Sequence, residues 1–165
     1  SGEKNTFIGS NSGYYNTTGL NNIFIGPNSG FVNTTGDNNT YIGLSTGLTI
    51  TSGDNNTILG AYAGSGGGVG LSGCILLGYQ AGQTNTTNNR LMIDNSNTNT
   101  PLVDGSFSSN TLQINGTTTI GQTSNTSHVH AIWGEIFKST TGPSGIYLRI
   151  DVNGDKYLIA LDKPP

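Results

Sequence analysis

The chain has 165 residues, of which 9% are charged and 32% apolar, with 26 glycines and a formal net charge of −3. It holds no basic patch of the kind that binds nucleic acid, and no apolar run long enough to span a membrane. Gly, Asn, Thr and Ser dominate, a mix that fits either a low-complexity linker or turn-rich regular β-structure.

The chain opens Ser1-Gly2 without Met, as a fragment carrying a cloning scar would, and its first residues do not read as a signal peptide. From residue 5 one phrase recurs: Asn5-Thr6-Phe7-Ile8-Gly9, Asn22-Ile23-Phe24-Ile25-Gly26, Asn39-Thr40-Tyr41-Ile42-Gly43 and Asn56-Thr57-Ile58-Leu59-Gly60, each start 17 residues after the last. Looser copies come next at Cys74-Ile75-Leu76-Leu77-Gly78 and Arg90-Leu91-Met92-Ile93-Asp94. The second half of each unit also repeats, as Asn11-Ser12-Gly13, Asn28-Ser29-Gly30, Ser45-Thr46-Gly47, Ala63-Gly64 and Ala81-Gly82. A fixed period of this kind is the signature of a repeat architecture and decides for order over a linker.

Each unit predicts two short strands, one ending in the recurring Gly and one at the second run, as in Tyr14-Tyr15 or Phe31-Val32. Stacked coils bury what a single unit cannot, with neighbours about 4.8 Å apart. Gly at the corner supplies the positive φ of a tight turn, and Asn tolerates the same region. The Ile or Leu before that Gly is expected to form the interior ladder, leaving Phe7, Phe24 and Tyr41 on an outer face. A coil of 17 residues leaves room for only a thin core. The outer face is therefore expected to pack against further copies of the chain.

The phrase NTFIG…NSG…NTTG…NN resembles the head repeats of trimeric autotransporter adhesins and the β-roll segments of phage and injection-system tail fibres. The resemblance covers roughly residues 5–94. It implies an all-β, parallel homotrimer in which each chain is a β-roll or β-solenoid.

Past the regular units, Ser65-Gly66-Gly67-Gly68 predicts a lateral loop, which costs little closure entropy. The lone Cys74, in an apolar run, reads as a buried thiol. Asn-x-Thr triplets such as Asn16-Thr17-Thr18 follow from composition and carry no glycosylation argument. Strands are predicted at 90–94, 101–104, 111–115 and 117–121, with 95–130 read as a narrow connector where three chains intertwine. Residues 131–165 read as a β-structured tip, with strands at 131–138, 145–152 and 156–161 and a hairpin signal at Asn153-Gly154. The domain reading is thus 1–94 roll, 95–130 connector and 131–165 tip.

His128-Val129-His130 places two imidazoles on one side of a strand. Three parallel chains would arrange such pairs as two layers of three, an octahedral nitrogen set. The motif resembles the His-x-His of phage fibre tips, which implies His128 and His130 as ligands of an axial transition metal, iron first, with nickel or zinc as alternatives. The plain reading is two surface or hydrogen-bonded strand histidines. A six-nitrogen site has no open position, so its role would be structural.

No nucleophile–base pair stands out, and the chain is read as no enzyme. Asp151 and Asp155 flank the hairpin turn, where they support it, and the spacing is not that of an EF-hand. The leading expectation is a distal tail-fibre segment that attaches a phage or injection particle to a bacterial surface glycan or protein. Its receptor contacts would come from Trp133, Tyr147, Arg149, Lys156 and Tyr157 in the tip. It would reside on a virion or extracellular particle. The alternative is the head of a trimeric adhesin on the bacterial cell surface, which should continue into heptads; this chain ends Leu161-Asp162-Lys163-Pro164-Pro165 without them. An ice-binding solenoid, with the column Thr6, Thr40 and Thr57 interrupted by Ile23, and a polysaccharide-cleaving spike are further rivals.

Overall fold

The computed structural model describes residues 2–116, 136–138, 146–152 and 155–160. They are all-β. Strands β1 (Thr6–Ile8), β2 (Ile23–Ile25), β3 (Thr40–Ile42), β4 (Thr57–Leu59), β5 (Ile75–Leu77) and β6 (Arg90–Ile93) stack in chain order as one parallel sheet. Each coil of this solenoid contributes one strand. The repeat register predicted the pairing: Phe7 stands beside Phe24, Phe24 beside Tyr41, Tyr41 beside Ile58, Ile58 beside Leu76 and Leu76 beside Met92.

The predicted second strand is a turn. After each corner glycine the chain makes tight turns, fixed by left-handed residues such as Asn11 (φ 55°) and Gly13 (φ 58°). Tyr14 N–H donates back to Asn11 O, and Asn16 N–H to Gly13 O. These turns still stack without extended backbone, because their remaining N–H groups point along the solenoid. Tyr15 N–H reaches Phe31 O at 3.0 Å, and Gly30 N–H reaches Thr46 O at 2.9 Å.

The interior is the reverse of the one expected. Phe24, Tyr41, Ile58 and Leu76 are completely buried, whereas Ile8 and Ile42, just before the glycine, are exposed. A strand alternates sides at every residue, so with the middle of a three-residue strand inside, both flanks face out. The rings of Phe7, Phe24 and Tyr41 stack in sequence, with centroids 5.0 and 4.8 Å apart and planes 9° and 12° from parallel. The core is thus not too thin to fill: Ile50, Leu71, Ala63 and Cys74 close it inside a single chain. Burial pushes the Tyr41 hydroxyl and the Cys74 thiol up from their usual pKa ranges, which leaves Cys74 an inert packing group.

Polar ladders hold the coils in register. Asn22, Asn39 and Asn56 are buried, and each side-chain oxygen accepts the backbone N–H of the matching residue one coil on, at 2.9–3.0 Å. Their amide nitrogens donate across the coil to Gly36 O, Gly53 O and Leu71 O, all within 2.6–2.7 Å. A second ladder runs Asn16 to Asn33 and stops where Ile50 replaces the next Asn. Asn33 Oδ1 is consequently a buried oxygen with no partner.

The glycine-rich stretch does not bulge out. Gly66 N–H donates to Gln83 O and Gly68 N–H to Asn85 O, while Gly67 O and Val69 O accept from the coil before. At Gly66 and Gly67 an added Cβ would stand 3.0 Å from Gln83 O and Asn85 O of the next coil, a tight approach that glycine avoids. Past β6 the chain reverses: β7 (Val103–Ser106) and β8 (Thr111–Ile114) add antiparallel to the same sheet, making it eight-stranded. The expected strand at 101–104 starts two residues later, at Val103, and the one at 117–121 lies outside the described residues.

The chain divides into two compact units, Ser1–Thr118 and Thr119–Pro165. In the second, β9 (Ile136–Lys138), β10 (Ile146–Val152) and β11 (Asp155–Ala160) form an antiparallel sheet in the order β11-β10-β9. Val152 pairs with Asp155, the register that the Asn153-Gly154 hairpin signal requires.

One position in the solenoid is conformationally costly. Asn11, Asn28, Ser45, Tyr62 and Gln80 occupy one stacked row, all with φ between 52° and 60°. Gln80 makes no side-chain hydrogen bond among the described residues, and it lacks the short amide that makes this region easy for Asn. Gln80→Asn is expected to stabilise the protein by about 1 kcal/mol. That should raise the melting temperature by roughly 2–4 °C, read by circular dichroism.

Candidate functional site

With the middle strand positions inside, each strand turns two residues outward, and the registers align these into two rows. One row runs Thr6, Ile23, Thr40, Thr57, Ile75, Leu91, Gly105, Leu112. The other runs Ile8, Ile25, Ile42, Leu59, Leu77, Ile93, Val103, Ile114. The second row is aliphatic at every position. At about 4.8 Å per strand the two rows cover a strip roughly 35 Å by 10 Å. Even with Thr6, Thr40, Thr57 and Gly105 among its positions, that strip is comparable with the largest apolar patch of a typical monomer, about 300–600 Å². The Thr column proposed for ice binding lies on this face, but Ile23, Ile75 and Leu91 interrupt it.

The strip runs past the end of the solenoid core. On β7 and β8 the positions in register with Met92 are Asp104 and Gln113, and Asp104 pairs with Arg90. The inner side therefore turns polar while the outer side stays aliphatic. Gly105, between Leu91 and Leu112, leaves a notch in the first row. There a depression of about 270 Å³ forms, lined by Leu91, Gly105, Phe107, Asn110 and Leu112 among others.

A second surface adjoins the strip around the corner glycines. The first residue after each corner forms the row Ser10, Pro27, Leu44, Ala61, Tyr79, stacked by bonds such as Ser45 N–H to Pro27 O and Tyr62 N–H to Leu44 O. Beyond Ser10 the row is apolar, with Leu44 38% and Tyr79 45% exposed. Farther along the same turns, Tyr14 stacks on Phe31 at 5.6 Å, and Tyr15 meets both rings edge-on. Between Lys4 and Arg90 the sequence contains no Lys or Arg.

Of the residues singled out in the sequence, His128, His130 and Trp133 lie outside the described residues. Tyr147, Arg149, Lys156 and Tyr157 fall on β10 and β11. There Tyr147 pairs with Ala160 and Phe137, Arg149 with Leu158, Lys156 with Asp151 and Tyr157 with Ile150. That register puts Tyr157 in the opposite parity from the other three. Among the described residues no helix is long and apolar enough to cross a membrane.

The outward rows escaped the sequence reading because their parity was inverted there. The missed signal is the occupancy of the Asn columns by Cys74 and Ile50, apolar residues that mark those columns as inward-facing. Comparison with protein-family models, with curated proteins and with solved structures gives no match.

Proposed function

We propose that this chain is a segment of a non-catalytic homotrimeric fibre that attaches a phage tail, or a related injection particle, to a bacterial surface. The observation that carries the association is the outward aliphatic strip. It crosses all eight strands of the first sheet, and a single chain leaves Ile8, Ile23, Ile42, Ile93, Leu112 and Ile114 exposed and most of the other apolar side chains half-buried. The stacked coils favour an elongated element, since they grow along one axis by adding units. The resemblance of the repeats to adhesin heads and tail-fibre rolls supplies the assignment to a fibre. In this reading residues 131–165 are the tip, where Trp133, Tyr147, Arg149, Lys156 and Tyr157 would meet a glycan or protein receptor. His128 and His130 of three chains would hold one axial metal.

Mass in dilute solution tests the assembly: three times 17.1 kDa is expected, and a folded particle at 17.1 kDa overturns it. Binding to host cells by the full chain, lost on deleting residues 131–165 with the trimer intact, supports the tip as receptor site. Equal binding by the shortened chain overturns that part. Metal analysis of the purified trimer at neutral pH is expected to find one transition-metal ion per three chains, and none overturns the axial site.

A further inference from the structure

We infer that copies of this chain join through two different surfaces, the outward sheet strip of one copy seated on the turn flank of the next. This rests on the homotrimer proposed above and names the faces that meet in it. An assembly can pair identical patches across a twofold axis or join unlike patches head to tail, and only the second builds a three-membered ring.

The chain offers two unlike apolar surfaces. The strip is a flat array of β-strand side chains: Ile8, Ile25, Ile42, Leu59 and Leu77 in one row, with Thr and Ile beside them. The flank is made of stacked turns bearing Pro27, Leu44, Ala61 and Tyr79. They meet along the corner glycines Gly9, Gly26, Gly43, Gly60 and Gly78, where no side chain stands between them. A twofold pair made strip to strip would cover one surface and leave Leu44 and Tyr79 in water. A ring in which every strip meets a neighbour's flank covers both. Neither surface carries a Lys or Arg between Lys4 and Arg90, so the contact is made by apolar burial with no charge pairing to set it.

A second copy is the occupant because of how the surfaces are built. Both follow the solenoid repeat, so copies lying side by side in parallel present matching rows at the same spacing along the whole stack. An unrelated globular partner would have to match that repeat over four or more coils.

The test separates unlike from identical patches. One full-length variant carries Ile25→Glu and Ile42→Glu on the strip; another carries Leu44→Glu and Tyr79→Glu on the flank. All four sites are at least partly exposed in the single chain. Mass and circular dichroism are measured for each alone and for an equal mixture. Each variant alone is expected to lose the trimer. The mixture is expected to form a two-chain particle, because one intact strip and one intact flank remain to join. If isolated variants lose β-structure, the mixture should regain it together with twice the mass of a chain. A flank variant that remains trimeric, or a mixture that regains neither mass nor structure, overturns the inference. Both results leave a trimeric parent untouched, whereas a parent that is a folded monomer removes the reading beneath it.

Discussion

Gly43→Ala is expected to remove about 2–6 kcal/mol of stability, the sum of a strained backbone and an overpacked contact. Gly43 has a φ of 138°, where an L side chain is rarely found. A Cβ there would lie 2.7 Å from the carbonyl carbon and oxygen of Gly60 and 2.7 Å from Thr46 Oγ1. The backbone cannot yield, because Gly43 N–H is bonded to Ile25 O at 2.8 Å and Gly60 N–H to Ile42 O at 2.9 Å. Moving one coil away breaks the bonds on both sides. The site is in the middle of the stack, so the damage divides the solenoid into two short pieces, each with too few neighbours. A loss of this size is a large share of the roughly 5–15 kcal/mol that holds a typical domain. The control is Gly70→Ala, whose added Cβ meets only Ser52 Oγ at 3.8 Å with no positive φ. It should be neutral, or stabilise by up to about 1 kcal/mol by restricting the unfolded chain. Urea midpoints of the two variants decide the matter. If Gly43→Ala matches Gly70→Ala, the close approach of the corner backbones is not what sets the coil spacing.

The corner was legible in the sequence because only glycine answers its requirement. Gly9, Gly26, Gly43, Gly60 and Gly78 recur in phase, and each has a φ between 116° and 138°. The register of the first six strands followed from the same phase, and it held through the uneven spacings that place Ile75 beside Thr57 and Leu91 beside Ile75. Which side faced in was not legible from the hydropathy of the strand's middle and third positions. The middle position reads Phe7, Phe24, Tyr41, Ile58, Leu76 and Met92, and the third position reads Ile8, Ile25, Ile42, Leu59, Leu77 and Ile93. Both columns are apolar throughout, so either parity would bury a ladder. The structure decides through the residue two before the middle one, an Asn on the same side of the strand, which makes bonds in the interior that it could not make outside. Asn is ordinarily a surface residue, and a pattern reading places it there. The turn rows were missed for a related reason. Tyr14-Tyr15 and Phe31-Val32 carry strand-forming side chains, but the left-handed Asn11 and Asn28 before them commit the backbone to turns. The face that carries the proposed assembly was therefore hidden by one choice of parity.

The buried amides also give the second large effect. Asn39→Ala is expected to cost about 3–5 kcal/mol, because two buried backbone groups lose their partners at once. Asn39 Oδ1 accepts Asn56 N–H at 3.0 Å, and its Nδ2 donates to Gly53 O at 2.7 Å. Neither group makes another hydrogen bond, and Asn39 is fully enclosed. Asn39→Asp separates the two bonds. A carboxylate keeps the acceptor for Asn56 N–H but sets a negative oxygen against the Gly53 carbonyl. Burial would raise the folded-state pKa of that carboxyl above its unfolded value of about 3.9. The sign then comes from linkage: the folded form holds its proton more tightly, so the variant loses stability as pH rises from the unfolded pKa to the folded one. Below that window the neutral acid donates O–H to Gly53 O, much as the amide does. Relative to the parent at the same pH, Asn39→Asp should therefore be mildly destabilised near pH 3 and severely near pH 7. Urea midpoints of both proteins at the two pH values measure it. An equal deficit at both would mean that the donor bond to Gly53 contributes little. The ladder would then act only through its acceptor oxygens, one coil holding the backbone of the next.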